Sequence, residues 1–387
     1  MNSNIIRHLK TEINQLLPEI KKIRQDFHQI PELALEEYQT SERIRELLQP
    51  TSIRIRNPLI KTDVVGELMG KNSEKIIALR ADIDGLPIEE KTGVDYISRN
   101  RGLMHACGHD GHISILLGTA LVLERMKNNI TNSIRFIFQP GEEMQAAGAM
   151  LVERGVLDGV NEVYALHGLP GAPVGSINSS PGVLLAAAHQ FYFKIKGRGG
   201  HGATPHLANN PIPVASEITL KLNKLGSDFQ KYPAIVSVTS IRGGNSATII
   251  PDEAVIAGTA RYLDKRVGET IERRIKEVVS KTCKKNGIGW EIDYDKKYYL
   301  PVVNFEGKFN FIKNLAEKCI GPQSFKTLPS PLMWAEDFAF YLDIKPGCMF
   351  LLGLGEDSSN LHSSTFDFND QAIFHGILMF SLLALTS

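Results

Sequence analysis

The stretch Met104-His105-Ala106-Cys107-Gly108-His109-Asp110-Gly111-His112 gathers a thiol, imidazoles and a carboxylate around two glycines. Such a cluster is costly to keep in a folded chain unless it binds something. Cys107 and His109, two residues apart, can aim both side chains at one point, as alternate residues of an extended chain do. Thiolate with imidazole suits zinc and its first-row neighbours. In Gln139-Pro140-Gly141-Glu142-Glu143, adjacent carboxylates point different ways, so one can ligate a metal while the other works on water. His167 and His362 add imidazoles. Such a set exceeds what one tetrahedral zinc takes. It suits two metals about 3.5–4 Å apart that share a bridging group, an arrangement fit to hydrolyse an unactivated amide.

These residues need a scaffold that brings them together. Ile76–Leu79, Ile134–Phe138, Val163–Leu166 and Cys348–Leu352 are short apolar runs, and helical patterns at 111–127 and 143–154 separate the first three. Strands alternating with helices predict a sheet with parallel members covered on both faces. Ligands in such sheets bind beyond the carboxyl ends of the strands. There the sequence places Arg80-Ala81-Asp82-Ile83-Asp84, then Glu142-Glu143, then His167-Gly168, and within ten residues of Gly353-Leu354-Gly355, His362. A histidine such as His167 or His362, taken alone, is more often a satisfied structural residue; the shared position after strands turns the reading toward a site.

Amphipathic helices are expected at 5–30 and 36–49, broken at Pro31, and a helix from Asp370 onward closes the chain. From Gln190 to about Glu291 the texture changes: alternating β-rich runs interleave with helical stretches near 212–226 and 266–286, as in a smaller inserted α+β domain. The expected boundaries are 1–185 and 296–387 for a divided larger domain and 186–295 for the insert.

The chain of 387 residues has 43 basic and 43 acidic side chains, so no global field favours nucleic acid or an anionic membrane. The N-terminus interrupts its apolar residues with charges and lacks a signal-peptide core, which sets a cytoplasmic expectation. Ile373–Leu385 is too short for the roughly 20 residues a bilayer needs and reads as a buried helix. Cys283, Cys319 and Cys348 are spaced as buried small hydrophobes rather than as a disulfide framework. Asn129-Ile130-Thr131 and the glycine-rich 197–200 carry no supporting context for glycosylation or nucleotide binding.

In their order, Met104–His112, Gln139–Glu143, His167-Gly168, Gly199–His206, Ala335-Glu336-Asp337-Phe338 and Leu361-His362-Ser363 resemble the dinuclear metal-dependent aminoacylase and amidohydrolase family, in its hippurate hydrolase and indole-acetyl-amino-acid hydrolase branch. The resemblance covers nearly the whole chain. It implies an α/β fold: a zinc-peptidase-like catalytic domain with a central mixed sheet flanked by helices, and an inserted α+β lid and dimerisation domain. It implies an amidohydrolase that splits N-acyl amino acids (N-acetyl, N-benzoyl or related) into a carboxylic acid and a free amino acid, as a cytoplasmic homodimer. The cofactor would be two divalent ions: zinc, manganese, cobalt or nickel.

By the same resemblance Cys107 looks like the bridging ligand, His109 and His167 complete one metal site, and Glu143 and His362 the other. Glu142 is similar to the general base, and His201 to the histidine that reaches across a dimer to the tetrahedral oxyanion. Asp82 and Asp84 match an acidic motif behind the ligands. Arg261 matches a basic position that receives the substrate carboxylate. His105, His112 and His206 read as structural or supporting residues. The chain departs from the pattern at Thr248, Trp334 and His189, which bears on substrate choice rather than on hydrolysis. The alternatives are a dipeptidase or metallopeptidase with the same core, and a non-catalytic metal-binding protein. A nucleobase deaminase would need a second cysteine pair that the chain lacks.

Overall fold

A computed structural model describes residues 3–229, 233–294 and 299–386. The chain divides into two compact units, a larger one of Met1–Leu184, Val303–Ser330 and Asp337–Ser387 and a smaller one of Leu185–Val302 with Pro331–Glu336. The segment 331–336, expected with the larger domain, goes with the smaller because Ala186 N–H donates to the carbonyls of Leu332 and Trp334 (3.0 and 2.8 Å). The expected boundary at 295/296 falls outside the described residues.

The larger unit carries an eight-stranded mixed sheet in the order Arg54–Ile55, Val64–Leu68, Asn132–Gln139, Asn72–Asp82, Val160–Pro170, Gly347–Gly355, Ile177–Ser179, Phe325–Thr327. Its centre, from Asn132–Gln139 across to Gly347–Gly355, is all parallel. That explains the near-continuous apolar runs, since strands covered on both faces have no polar side to present. Asn132–Gln139 is buried along its whole length. The helix Ser3–His28 buries Leu9, Ile13, Leu16, Ile20, Ile23 and Phe27, a three-and-four spacing that gives one apolar stripe. It packs on His109–Arg125, as does the buried C-terminal helix Ile373–Thr386. No helix among the described residues is long and apolar enough to cross a membrane.

In the smaller unit a four-stranded antiparallel sheet runs Ala234–Gly243, Glu253–Tyr262, Ala187–Lys196, Gly289–Tyr294. Helices Pro211–Leu225 and Lys265–Lys285 cover one face, over a core that includes Phe191, Phe193, Ile256, Ile271 and Ile275. Asn210 and Asp264 cap these helices by accepting the N–H groups of Ile212 and Arg266.

One expected helix is broken. Instead of 143–154, the chain forms a short turn at Glu142–Gln145 and a helix at Ala147–Glu153, parted at Ala146 with φ 46°. The N–H groups of Gln145 and Ala147 both return to the Gly141 carbonyl (3.3 and 3.2 Å), which closes the turn before a helix can propagate. Gly141 has φ 62°, and a Cβ there would sit 3.2 Å from that of Ala147, so a side chain at this position would be strained.

Candidate metal centre

The parallel strands end at one rim, and the chemistry-bearing residues of the larger unit follow them there. Past Ala106, the chain turns at Gly108 (φ 85°) and enters the helix with His109 as its first residue. The left-handed turn points Cys107 and the start of that helix at the rim. His167 lies on Val160–Pro170, close to its carboxyl end. His362 sits in the loop after Gly347–Gly355 with φ 62°, and its N–H donates to the Ala106 carbonyl (2.8 Å), tying that loop to the Cys107 turn.

Ligand atoms of Cys107, His109 and His167 lie within 4.8 Å of one another, and so do those of Cys107, Glu143 and His362. Cys107 is thus common to two triads. Its Sγ is 3.4 Å from His167 Nε2, and Glu143 Oε1 is 3.0 Å from His362 Nε2. His109 turns Nδ1 to the carbonyl and carboxylate of Asp84 (2.9 and 3.1 Å), which leaves Nε2 facing the cluster, buried and with no hydrogen-bond partner. A buried ring nitrogen without a hydrogen-bond partner, beside a thiol, carboxylates and two further imidazoles, is what a divalent cation fits.

The electrostatics agree. Burial, together with Glu143 and Glu142, pushes the Cys107 thiol well above its ordinary value, so its thiolate needs a cation beside it. Burial works against a charged His109, yet Asp82, Asp84 and Glu143 raise it to about 10, a proton standing where a metal's charge would serve. Burial, then His112, lowers His167 to about 3, keeping it neutral as a ligand must be. Burial opposes the Glu143 charge, but the His362 hydrogen bond and His109 hold it below its ordinary value.

Asp82, His109 and His112 also approach within 4.8 Å of one another, but they do not make a third ligand set. Both His112 nitrogens are committed: Nδ1 donates to Asp82 (2.6 Å) and Nε2 accepts the Gly168 N–H (3.0 Å), which steadies the strand that carries His167. Asp84 spans the centre differently, taking His109 on one oxygen and the Glu143 N–H on the other (3.0 Å).

Glu142 is buried beside this cluster, and its Oε1 accepts the N–H of Asp337 (3.3 Å). Reading the sequence assigned Asp337 and Gln139 no role and did not pick out Arg80. In the structure the buried Arg80 guanidinium donates to Gln139 (2.9 Å), Asp82 (2.7 Å) and Asp337 (2.7 Å), while Gln139 Nε2 donates to Asp337 (2.7 Å). This network locks the segment that meets Glu142. The signal was present: an arginine between Leu79 and Ala81, in an apolar run that is buried, demands a carboxylate partner. Glu37 was missed as well. Its buried carboxylate, raised to about 7 by burial and by the Asp84 charge, accepts the Gly141 N–H (2.9 Å).

His201 and Arg261 belong to the smaller unit. His201 is exposed, on a two-residue strand paired with Ile249–Ile250, and its Nδ1 accepts the Ala203 N–H (3.0 Å), leaving Nε2–H as a free donor. Arg261 is half-buried on Glu253–Tyr262 and lowered by that burial, with no carboxylate partner among the described residues. His189 is held by the Tyr262 hydroxyl (2.6 Å), and Trp334 is partly exposed.

Residues 78–386 match the family described as peptidase family M20/M25/M40. Among similar proteins is an N-acetyl-L-cysteine deacetylase of Bacillus subtilis, 36% identical over 96% of this chain and 89% of that one. A thermostable carboxypeptidase of Saccharolobus solfataricus is 33% identical, covering 98% of both. A Bacillus subtilis structure described as a dinuclear metal binding peptidase from the M20 family superposes with a TM-score of 0.82 at 31% identity, over 96% of this chain and 98% of that one.

Proposed function

This chain belongs to peptidase family M20/M25/M40 and is an amidohydrolase, and from that premise we propose that it hydrolyses the amide of N-acyl amino acids at a two-metal centre. The observation that carries the reading is the pair of ligand triads sharing Cys107, with a buried second glutamate, Glu142, adjacent in sequence to the ligand Glu143. Cys107, His109 and His167 would hold one ion, and Cys107, Glu143 and His362 the other. Bound there, two divalent cations supply Lewis acidity that polarises the scissile carbonyl and makes a water nucleophilic near neutral pH.

Glu142 takes the proton of the attacking water and returns it to the departing amine. The Asp337 N–H and the Arg80 network hold its carboxylate in place for both transfers. His201, with Nε2–H as its open donor, stabilises the oxyanion from the partner subunit of a homodimer. Arg261, a half-buried cation with no acidic partner among the described residues, receives the substrate's carboxylate. Zinc suits the thiolate; manganese, cobalt and nickel suit the mixed nitrogen and oxygen donors. Four unpaired cysteines are in keeping with a cytoplasmic setting.

The test is release of free amino acid from N-acetyl, N-benzoyl and N-indoleacetyl amino acids by metal-stripped protein, with and without added zinc or manganese. Metal-dependent release is expected. Silence with metal demonstrably bound overturns the reading. The carboxypeptidase relative favours one alternative, a peptidase on the same core. A requirement for a free α-amine, or for a longer peptide, would select it.

A further inference from the structure

The segment Pro31–Tyr38 lies far in sequence from every residue of the centre, yet it is bonded to two loops of the rim. The Gly85 N–H donates to the Glu32 carbonyl (2.7 Å), directly after Asp84. On the other side Glu37 Oε1 accepts two N–H groups, from Leu35 (3.0 Å) and from Gly141 (2.9 Å), while Oε2 takes the Thr62 hydroxyl (2.6 Å). The side chain is fully buried. Both N–H groups on Oε1 belong to residues in the left-handed region, Leu35 with φ 65° and Gly141 with φ 62°. A leucine is rarely found there, and such a turn persists only where its surroundings over-determine it. Among the described residues the other non-glycine positions with positive φ are Ala146 and His362, which end the catalytic turn and carry a ligand.

We propose that Glu37 is a positioning residue: one carboxylate oxygen pins the strained Leu35 turn to Gly141 and thereby aims Glu142. The inference rests on Glu142 as the base. The reach of the side chain matters, not its charge. In the acid form the proton sits on Oε2, where the Thr62 hydroxyl can accept as readily as donate, and Oε1 still receives both N–H groups. Glutamine reproduces that pattern, with its carbonyl in place of Oε1 and its amide donating to Thr62. Aspartate keeps the charge but is one methylene too short to hold Leu35, Thr62 and Gly141 at once.

The experiment compares Glu37→Gln and Glu37→Asp in the zinc-loaded chain by kcat, KM and metal content, and by hydrogen exchange of the peptide spanning 139–147. Glu37→Gln is expected to keep kcat within about threefold and leave exchange unchanged. Glu37→Asp is expected to lower kcat by roughly 10- to 100-fold with KM and metal content held, in line with the cost of about 1 Å of misplacement, and to speed exchange of that peptide. An active aspartate variant, or a glutamine variant as slow as aspartate, overturns the proposal. Faster exchange in Glu37→Asp with an unchanged rate overturns it too, since the turn then does not aim the base. If wild-type protein hydrolyses no acyl amino acid, the function reading fails, and exchange still decides whether Glu37 anchors the turn.

Discussion

His109 gives Nδ1 to Asp84, 2.9 Å from its carbonyl and 3.1 Å from its carboxylate, and so presents Nε2 to the cluster. One carboxylate fixes the ring orientation of His109 and, through its second oxygen, the backbone of Glu143. Ligands held this way need not reorganise when a cation arrives.

Replacing Asp84 with Asn puts an N–H against one of the two donors it now receives. Metal affinity is expected to fall about 10- to 100-fold, with the rate of the fully loaded enzyme less affected. A competition titration with a chelator measures it, and wild-type affinity in the variant would remove Asp84 from the support of His109.

Glu142→Gln keeps the acceptor for Asp337 but cannot take a proton. Bound metal is expected to stay at the wild-type level while turnover drops by roughly 10²- to 10⁴-fold. Elemental analysis beside steady-state rates separates the roles, because loss of metal and turnover together would make Glu142 a ligand.

Cys107 is common to both triads, so under the proposed two-metal reading its removal touches both ions. Cys107→Ala is expected to lower the metal-to-protein ratio more than His362→Ala, whose side chain is 52% exposed at the edge of one triad. Equal ratios in the two variants would count against a shared ligand.

His28 is buried between Asp110 (2.7 Å) and Glu90 (3.1 Å). Burial opposes its charge, but the hydrogen bond to Asp110 prevails and raises it to about 9. A group raised on folding stabilises fully below its ordinary value near 6.5 and loses that contribution as pH climbs through about 9. Thermal unfolding from pH 6 to 9.5 should therefore show wild type losing stability with rising pH, and His28→Gln should be less stable by about 2 kcal/mol at pH 6 with a flatter profile. Parallel profiles would refute the coupling.

If His201 serves the partner subunit's centre, His201→Ala and Glu142→Gln proteins, each inactive, should regain up to about a quarter of wild-type activity when mixed and allowed to exchange subunits, since random pairing makes half the dimers mixed, each with one intact centre. Activity that stays at the level of the separate variants would place His201 in its own chain's centre.

Residue types alone determined much of this protein. Glu142, Glu143, His167 and His362 follow apolar strands, which already pointed to one rim that Cys107 and His109 could join, because parallel strands deliver their carboxyl ends to the same edge. The elements were legible for the same reason: burial on both faces leaves continuous apolar runs, and burial on one leaves a period of two or of three to four. What the sequence could not state was who supports whom. Asp84 to His109, Arg80 to Asp337 and Glu37 to Gly141 are pairings between residues 25, 257 and 104 positions apart. Nothing local distinguishes their partners from other polar groups. The break at Ala146, where periodicity asked for an unbroken helix, belongs to the same class, since the turn is closed by Gly141 and Gly141 is held by Glu37. Those choices fell to the tertiary structure, because a buried polar group must find a partner and only the packed fold decides which one is within reach.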